Sequence, residues 1–252
     1  MPAPDLVSIG VDPASGQTLT YAVLDQDLKP VKYGEGEIEE LIAFAMEHTA
    51  AIIAVNAPAH LNTGVVRRRM RAARPATRAL RGAEIRAAEH DLRERGLALG
   101  ATPSSEALCP PWVQLGLALF RMLKDRGFKT YPQEGAAFQS LETHPHAAFA
   151  ALLGCLPLPK PTLEGRLQRA LALFERGVRI RDPMAFLEEI TRHRLLHGVL
   201  PLDLLHSPQH LDALVAAYTA WIAANKPAEI TAVGAAVEGS IVLPAAQLQQ
   251  HY

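Results

Sequence analysis

Short apolar runs separated by turn residues fill the first 55 residues and predict three strands, one helix and a fourth strand. Strands are predicted over 6–12, 18–24 and 30–36, with turns at 13–16 and 25–27. The apolar positions from Ile38 to Met46 fall on one helical face. Residues 51–55 are wholly apolar, as in a buried parallel strand. The predicted order is β-β-β-α-β, in which three meandering strands precede a crossover.

The pattern after residue 58 is mostly helical. It predicts an arginine-rich helical insertion over about 61–127 and a second helical segment over about 160–206. Strand character returns at 137–143, 230–234 and 240–243, and an apolar helix is predicted over 209–224. We find no internal repeat. The pattern indicates one α/β domain over 1–252, with a mixed sheet flanked by helices.

The charge is unevenly distributed along the chain. There are 25 basic and 26 acidic residues, so the net charge is −1. The window 64–96 holds ten arginines and four acidic residues, which leaves it at +6 and the rest of the chain at −7. Overall neutrality argues against a protein that simply coats nucleic acid, but the window leaves a local anion-binding surface open.

Several classes of protein are excluded by other features. Cys109 and Cys155 are far apart and form no CxxC motif, so neither a disulfide framework nor a zinc site is expected. The N-terminus has no signal-peptide pattern, and the longest apolar run, 214–224, is too short to span a membrane. We therefore expect a cytoplasmic protein with no membrane partner.

Three acidic residues occupy positions where chemistry usually occurs in α/β proteins. Asp12 and Glu142 end predicted strands, and Asp212 lies in the first turn of the apolar helix. Ligands of open α/β sheets bind beyond the carboxyl ends of the strands, so Asp12 and Glu142 are expected to face one crevice. Clustered carboxylates repel each other unless a hard cation such as Mg²⁺ or Mn²⁺ neutralises them. Two such ions can activate water and stabilise the leaving oxygen of a phosphodiester.

Two of these residues also have structural explanations, and Glu142 alone indicates little. Asp12 precedes Pro13 and can cap the bend, and Asp212 can interact with the helix dipole near the N-terminus. Taken singly, the structural role is favoured for each. Their joint arrangement favours a site.

Several short blocks carry a resemblance to a known family. They are Gly10 to Asp12, Ala54 to Pro58, Arg86 to Gly96, Leu141 to Pro145, His210 to Ala220 and Glu238 to Pro244. In this order they resemble the domain-of-unknown-function family 429, which is predicted to comprise ribonuclease-H-like nucleases, and the opening strands resemble the ribonuclease-H-like fold. The resemblance covers most of the chain. It implies that Asp12, position 56, Glu142 and Asp212 form an acidic, metal-binding crevice.

Position 56 departs from the family pattern, because Asn56 stands where the family usually shows Asp. An amide can offer its carbonyl oxygen to a metal but brings no charge, so the site is weakened. Three outcomes stay open: one weakly bound metal, loss of the second metal, or decayed activity.

Arginines follow directly after the Asn56 loop and are expected to rim the crevice. They are Arg67, Arg68, Arg69, Arg71, Arg74, Arg78 and Arg81. Guanidinium groups bind phosphate in a bidentate manner, so such a rim would hold a nucleic-acid backbone without reading its sequence. The alternative is a solvated surface that pairs with acidic parts of the protein or of a partner subunit. We take Arg67, Arg68, Arg71 and Arg86 as candidate substrate contacts.

Other residues near the blocks have local explanations. The spacing of Arg86, Glu89 and Arg93 favours pairing within one helix. His144 and His146 can relay protons or form polar surface. Trp112 and Trp221 are expected to be core or interface anchors.

The leading hypothesis is a metal-dependent nuclease that hydrolyses phosphodiester bonds of nucleic acid. A second is a catalytically weakened scaffold or binding protein on the same fold, which Asn56 suggests. A third is an actin- or sugar-kinase-like phosphotransferase, since those proteins also open with G-x-D, although the chain has only one such opening. A homo-oligomer is left open.

Overall fold

One mixed β-sheet organises the part of the chain that the computed structural model describes, namely residues 6–13, 17–73, 82–201 and 205–252. The predicted turn at Ser15 and Gly16 lies outside the described residues, as do three arginines of the window, Arg74, Arg78 and Arg81. The strands are β1 (Leu6–Asp12), β2 (Leu19–Leu24), β3 (Pro30–Gly36), β4 (Ala50–Val55), β5 (Lys129–Thr130), β6 (Phe138–Glu142), β7 (Thr231–Ala235) and β8 (Gly239–Leu243). The helices are α1 (Ile38–Met46), α2 (Val65–Ala73), α3 (Ala87–Glu94), α4 (Pro111–Asp125), α5 (Pro145–Leu153), α6 (Leu163–Phe174), α7 (Pro183–His197) and α8 (Pro208–Asn225).

The sheet order is β3-β2-β1-β4-β6-β8-β7, and β5 pairs with the beginning of β6. The first three strands form an antiparallel meander, and β1, β4, β6 and β8 run parallel in the centre. β1 and β4 are buried along nearly their whole length because helices cover both faces, as parallel strands require. The α/β prediction and the β-β-β-α-β opening are confirmed, and the arrangement is consistent with a ribonuclease-H-like fold.

The two faces of the sheet are covered by different helices. On one face, Val11 and Val55 pack in a cluster with residues of α1 and α4, among them Ile42 and Leu119. On the other face, Ala54 packs with residues of β6, β8 and α8. The edge strand β3 is largely exposed and carries Lys32 and Glu35, charges that suit an unpaired sheet edge.

The closest helix-to-sheet approach lies between α8 and β1, at Gly10. A Cβ atom on Gly10 would lie 1.9 Å from the carbonyl oxygen of Ala213 and 2.2 Å from the backbone nitrogen of Ala217. Only glycine permits this approach, because any side chain would overlap the helix backbone. Gly10 precedes Asp12 by two residues on the same face of the strand, and Ala213 follows Asp212. The contact therefore brings the ends of two distant segments together.

Candidate active site

Asp12 and Asp212 line one pocket at the carboxyl end of the central strands. The cavity measures about 320 Å³. Its sheet side presents Asp12 and Asn56, and its other wall presents Asp212, Lys160 and Arg169. Both aspartates are almost completely buried, with 1% and 5% of their surfaces exposed. The pocket joins residues that are 200 positions apart in the chain.

The side-chain amide of Asn56 forms a hydrogen bond with Asp12. Asn56 follows β4 directly, and its Nδ2 donates a hydrogen bond of 2.9 Å to Oδ1 of Asp12. The backbone nitrogen of Asn56 donates to the carbonyl oxygen of Val11 at 2.8 Å, which continues the β1–β4 pairing to the pocket. A half-turn of the amide would present Oδ1 to the cavity instead.

Asp212 is paired with a lysine from the opposite wall. Lys160 Nζ donates a hydrogen bond to Oδ2 of Asp212. Burial raises the pKa of Asp212 to about 6, and the nearby Asp12 charge adds to this rise, while Lys160 opposes it. Asp212 lies in the second turn of α8, not in the first turn as predicted, because the helix begins at Pro208. The helix dipole is therefore not the main partner of this carboxylate.

Glu142 does not line this pocket, and its predicted place beside the two aspartates stays a prediction. Its Oε2 accepts hydrogen bonds from Arg86 Nη1 at 2.9 Å and from the backbone nitrogen of Ala59 at 2.8 Å, and its Oε1 accepts from Arg86 Nη2. The physical reason lies in strand register. Glu142 pairs with Val55, whose side chain packs on the sheet face opposite α8, whereas Asp12 and Gly10 face α8.

Arg86 is buried and its guanidinium is engaged by two carboxylates, which argues against the predicted contact with substrate. It is 1% exposed, and its Nε donates to Glu89 at 2.8 Å while its two Nη atoms donate to Glu142. The predicted pair of Arg86 and Glu89 is confirmed. Arg93 does not join it, and donates from Nε to the carbonyl oxygen of Leu99 at 2.8 Å.

Glu238 holds the beginnings of two helices beside this ion pair. It is fully buried and accepts hydrogen bonds from the backbone nitrogens of Thr63, Val65 and Ala87. Burial alone would raise the pKa of Glu238, but these hydrogen bonds lower it. The connection between β7 and β8, where Glu238 lies, thus fixes the beginning of α2, which carries exposed arginines.

The residues present fit one divalent cation but not two. Among the residues that the structure describes, no group of three or more aspartate, glutamate, histidine or cysteine side chains is placed to hold a metal. Two carboxylates are nevertheless a usual protein contribution to Mg²⁺, which keeps several waters and takes further ligands from substrate phosphates. Asp12 and Asp212 would supply these, and Asn56 would offer Oδ1 only after its amide turns, because Nδ2 now donates to Asp12. The predicted fourth ligand, Glu142, is engaged by Arg86.

A comparison with protein families decides the affiliation of the chain. The model of the family described as "Protein of unknown function (DUF429)" matches residues 10–233. The chain belongs to this family. No curated protein matches the chain. The resemblance to this family is therefore confirmed, whereas the nuclease activity that it implied stays a prediction, because the DUF429 description assigns no activity.

The DUF429 match spans both aspartates and also the residues that sequence reasoning missed. Lys160 and Arg169 belong to the predicted helical segment 160–206, for which no site residue was expected. Lys160 gave a weak signal, since it is the only charge in the apolar, proline-rich run 156–161. The sequence contains no signal for Arg169, because the position of this residue depends on how α6 packs against the pocket. Trp112, expected to be a core or interface anchor, also lines the cavity.

Two histidines complete the pocket of this DUF429 protein. Burial is the main cause that lowers the pKa of His144 to about 4, and nearby His146 and cationic residues add to it. Burial also lowers the pKa of His146, together with Arg169 and Lys160. His144 caps α5, since its Nδ1 accepts from the backbone nitrogen of Ala147 at 3.3 Å. Both shifts favour the neutral form of the imidazole.

Acid is expected to destabilise the protein partly through His144. Because the folded-state pKa lies below the ordinary 6.5, the unfolded chain takes up the proton first, so this stabilisation is complete above pH 6.5 and is lost toward pH 4. We expect a loss of about 1–2 kcal/mol between pH 6.5 and about pH 5. His144→Asn keeps a capping acceptor but cannot titrate, so its urea midpoint should fall less with acid than that of the wild type. Equal acid sensitivity of both proteins would contradict this assignment.

No helix in the described part of the chain combines the length and apolar character of a membrane span. The cytoplasmic location stays a prediction.

Proposed function

We propose that the chain is a metal-dependent hydrolase that cleaves phosphodiester bonds of nucleic acid, with its reaction centre between Asp12 and Asp212. The observation that carries the proposal is the convergence of these two buried carboxylates in one pocket. The pocket lies at the carboxyl ends of the central strands, where α/β proteins bind ligands. Carboxylates that share a site favour a cation between them.

Asp12 and Asp212, with the carbonyl oxygen of Asn56, would hold one Mg²⁺ or Mn²⁺ ion at this centre. When bound, the ion supplies a Lewis acid that polarises a phosphoryl oxygen. Lys160 lies beside Asp212 and places a positive charge where a second ion would otherwise neutralise the acidic pair. The ammonium group can stabilise the negative charge that develops on the transferring phosphate.

The exposed arginines of α2 are the proposed contact to the nucleic-acid backbone. Arg69 and Arg71 are exposed, Arg67 pairs with Glu84 at 3.2 Å on the surface, and Arg68 donates to the carbonyl oxygen of Thr63 at 2.7 Å. Surface pairs of this kind contribute little and exchange readily for phosphate contacts. Binding through these side chains is therefore expected to weaken as the salt concentration rises.

The proposal is tested by incubating end-labelled single-stranded DNA and RNA with the purified chain in Mg²⁺, Mn²⁺ or EDTA. We expect cleavage that requires the cation and falls about 100-fold or more in Asp12→Asn and in Asp212→Asn, because each change removes a charged ligand. Asp125→Asn alters an exposed aspartate and is the matched control, with activity unchanged. Cleavage that persists in both pocket variants would refute the proposal.

Asn56→Asp is expected to make the stability of the protein depend on the metal. The new carboxylate would face Asp12 where a hydrogen bond now forms, so the metal-free variant should lose about 1–3 kcal/mol of stability. Mg²⁺ should restore the lost stability and raise the cleavage rate. Thermal unfolding with and without Mg²⁺ measures this, and Asn56→Ala, which removes the hydrogen bond without adding charge, should show no recovery. Equal responses of the two variants to Mg²⁺ would leave Asn56 with a purely structural role.

A second candidate is a weakened relative of such an enzyme that binds nucleic acid without cleaving it. The neutral Asn56 and the pairing of Lys160 with Asp212 favour it, because both lower the attraction of the pocket for a cation. Salt-dependent binding of oligonucleotides without cation-dependent cleavage would support this candidate. The phosphotransferase hypothesis predicts thermal stabilisation by ATP with Mg²⁺. A homo-oligomer stays open.

A further inference from the structure

Arg169 is a buried cation on the pocket wall, where the carboxylate of Asp212 acts on it from a distance without forming a salt bridge. Arg169 has only 2% of its surface exposed, and it takes part in none of the salt bridges among the described residues. Its Nη1 donates to the carbonyl oxygens of Leu158 at 2.8 Å and Gly165 at 2.9 Å. Its buried Nε has no hydrogen-bond partner among the described residues. A buried guanidinium that does not use all of its donors is costly, and the fold keeps this cost at the wall of the pocket.

The position of Arg169 is fixed by its surroundings. The guanidinium carbon lies 5.4 Å from the centre of the Phe149 ring, and two backbone carbonyls hold one end of the group. Such a group is ordered before a ligand arrives, which favours binding of a phosphate in one orientation. Lys160 lines the same pocket and adds a second, half-exposed positive charge.

The pocket is small and has an aromatic wall. Its volume of about 320 Å³ is near the lower end of ligand sites, which span about 300–1,000 Å³. Trp112 lines it, and indole rings stack on nucleic-acid bases without strong sequence preference. A cavity of this size suits one small ligand and not a stretch of double helix.

We propose that the pocket binds a single nucleotide, with its phosphate on Arg169 and Lys160 and its base against Trp112. This inference rests on the proposed function and deepens it: the enzyme would cleave phosphodiester bonds at the phosphate-bearing end of a strand, not within a continuous strand. The α2 arginines would then hold the part of the strand that remains outside.

Calorimetric titration with thymidine 5′-monophosphate and with thymidine tests the binding site directly in the presence of Mg²⁺. We expect the monophosphate to bind and thymidine to bind about tenfold more weakly or worse, because a charge-assisted hydrogen bond is lost. Arg169→Lys should weaken binding of the monophosphate about tenfold or more. Equal binding of both compounds, or unchanged binding by a folded Arg169→Lys variant, would overturn the inference.

A second variant covers the case in which Arg169→Lys does not fold. Lys160→Gln changes a side chain that is 39% exposed and is expected to fold normally. It should also weaken binding of the monophosphate, whereas Lys124→Gln, an exposed lysine on α4, is the control that should not. Unchanged binding by Lys160→Gln would then overturn the inference.

Cleavage of linear and circular strands separates the inference from the proposed function. Linear 5′-phosphorylated DNA should be shortened from its end, and circular single-stranded DNA should persist. Cleavage of the circle that depends on Asp12 would overturn the inference and leave the proposed function intact. Phosphate-dependent nucleotide binding through Arg169, without cleavage of either strand, would keep the nucleotide site and refute the proposed hydrolase.

Discussion

Arg86→Met is expected to destabilise the fold by about 3–5 kcal/mol, since it leaves buried carboxylates without their cation. Arg86 is buried between Glu89 and Glu142 and hydrogen-bonds to both. Methionine preserves much of the side-chain volume, so the loss reports the missing charge and hydrogen bonds rather than a cavity. Equilibrium unfolding in urea measures the difference.

Arg67→Met is the matched control for this prediction. Arg67 belongs to the same arginine-rich window, but it is exposed and pairs with Glu84 at the surface. Its replacement should change stability by about 0.5 kcal/mol or less. Similar losses in the two variants would show that the buried ion pair does not have the structural role that we assign to it.

Gly10→Ala is expected to cost about 3 kcal/mol or more, or to prevent folding, because the added methyl group would overlap the backbone of α8. A 1.9 Å approach to the Ala213 carbonyl oxygen cannot be relieved by a side-chain rotation. The helix would have to move away from β1, and Asp212 would move with it. If the variant folds, we expect it to lose the cation-dependent cleavage of nucleic acid even though both aspartates remain.

Gly100→Ala provides the control, because no atom lies within 4 Å of the position of its Cβ and its φ is not in the left-handed region. This substitution should be close to neutral in the same unfolding measurement. A Gly10→Ala protein as stable as Gly100→Ala would contradict the close packing of α8 on β1.

The elements of the fold could be predicted because their signals are local. The β-branched run of β1, the apolar run of β4 and the helical periodicity of α8 each lie within a short window. Asp12 was a candidate for the same reason, since it ends a recognisable strand. Such signals identify an element and the position of a residue within it.

The assembly of the site depends on register, which the sequence pattern did not provide. Asp12 and Glu142 both end parallel strands, but their side chains project from opposite faces, because a shift of one residue along a strand reverses the direction of a side chain. Lys160 and Arg169 enter the pocket through long-range packing, which has no local signal. The sequence pattern likewise does not distinguish the exposed arginines of α2 from the buried Arg86, although all of them belong to the arginine-rich window.

The central claim is that Asp12 and Asp212 hold one divalent cation, and anomalous diffraction from crystals soaked in Mn²⁺ tests it most directly. We predict one manganese peak in the pocket, in contact with both aspartates, with Glu142 still paired to Arg86. The peak should be absent from Asp12→Asn crystals treated in the same way. A manganese ion bound at Glu142, or a pocket with both aspartates intact and no peak at saturating Mn²⁺, would contradict the account.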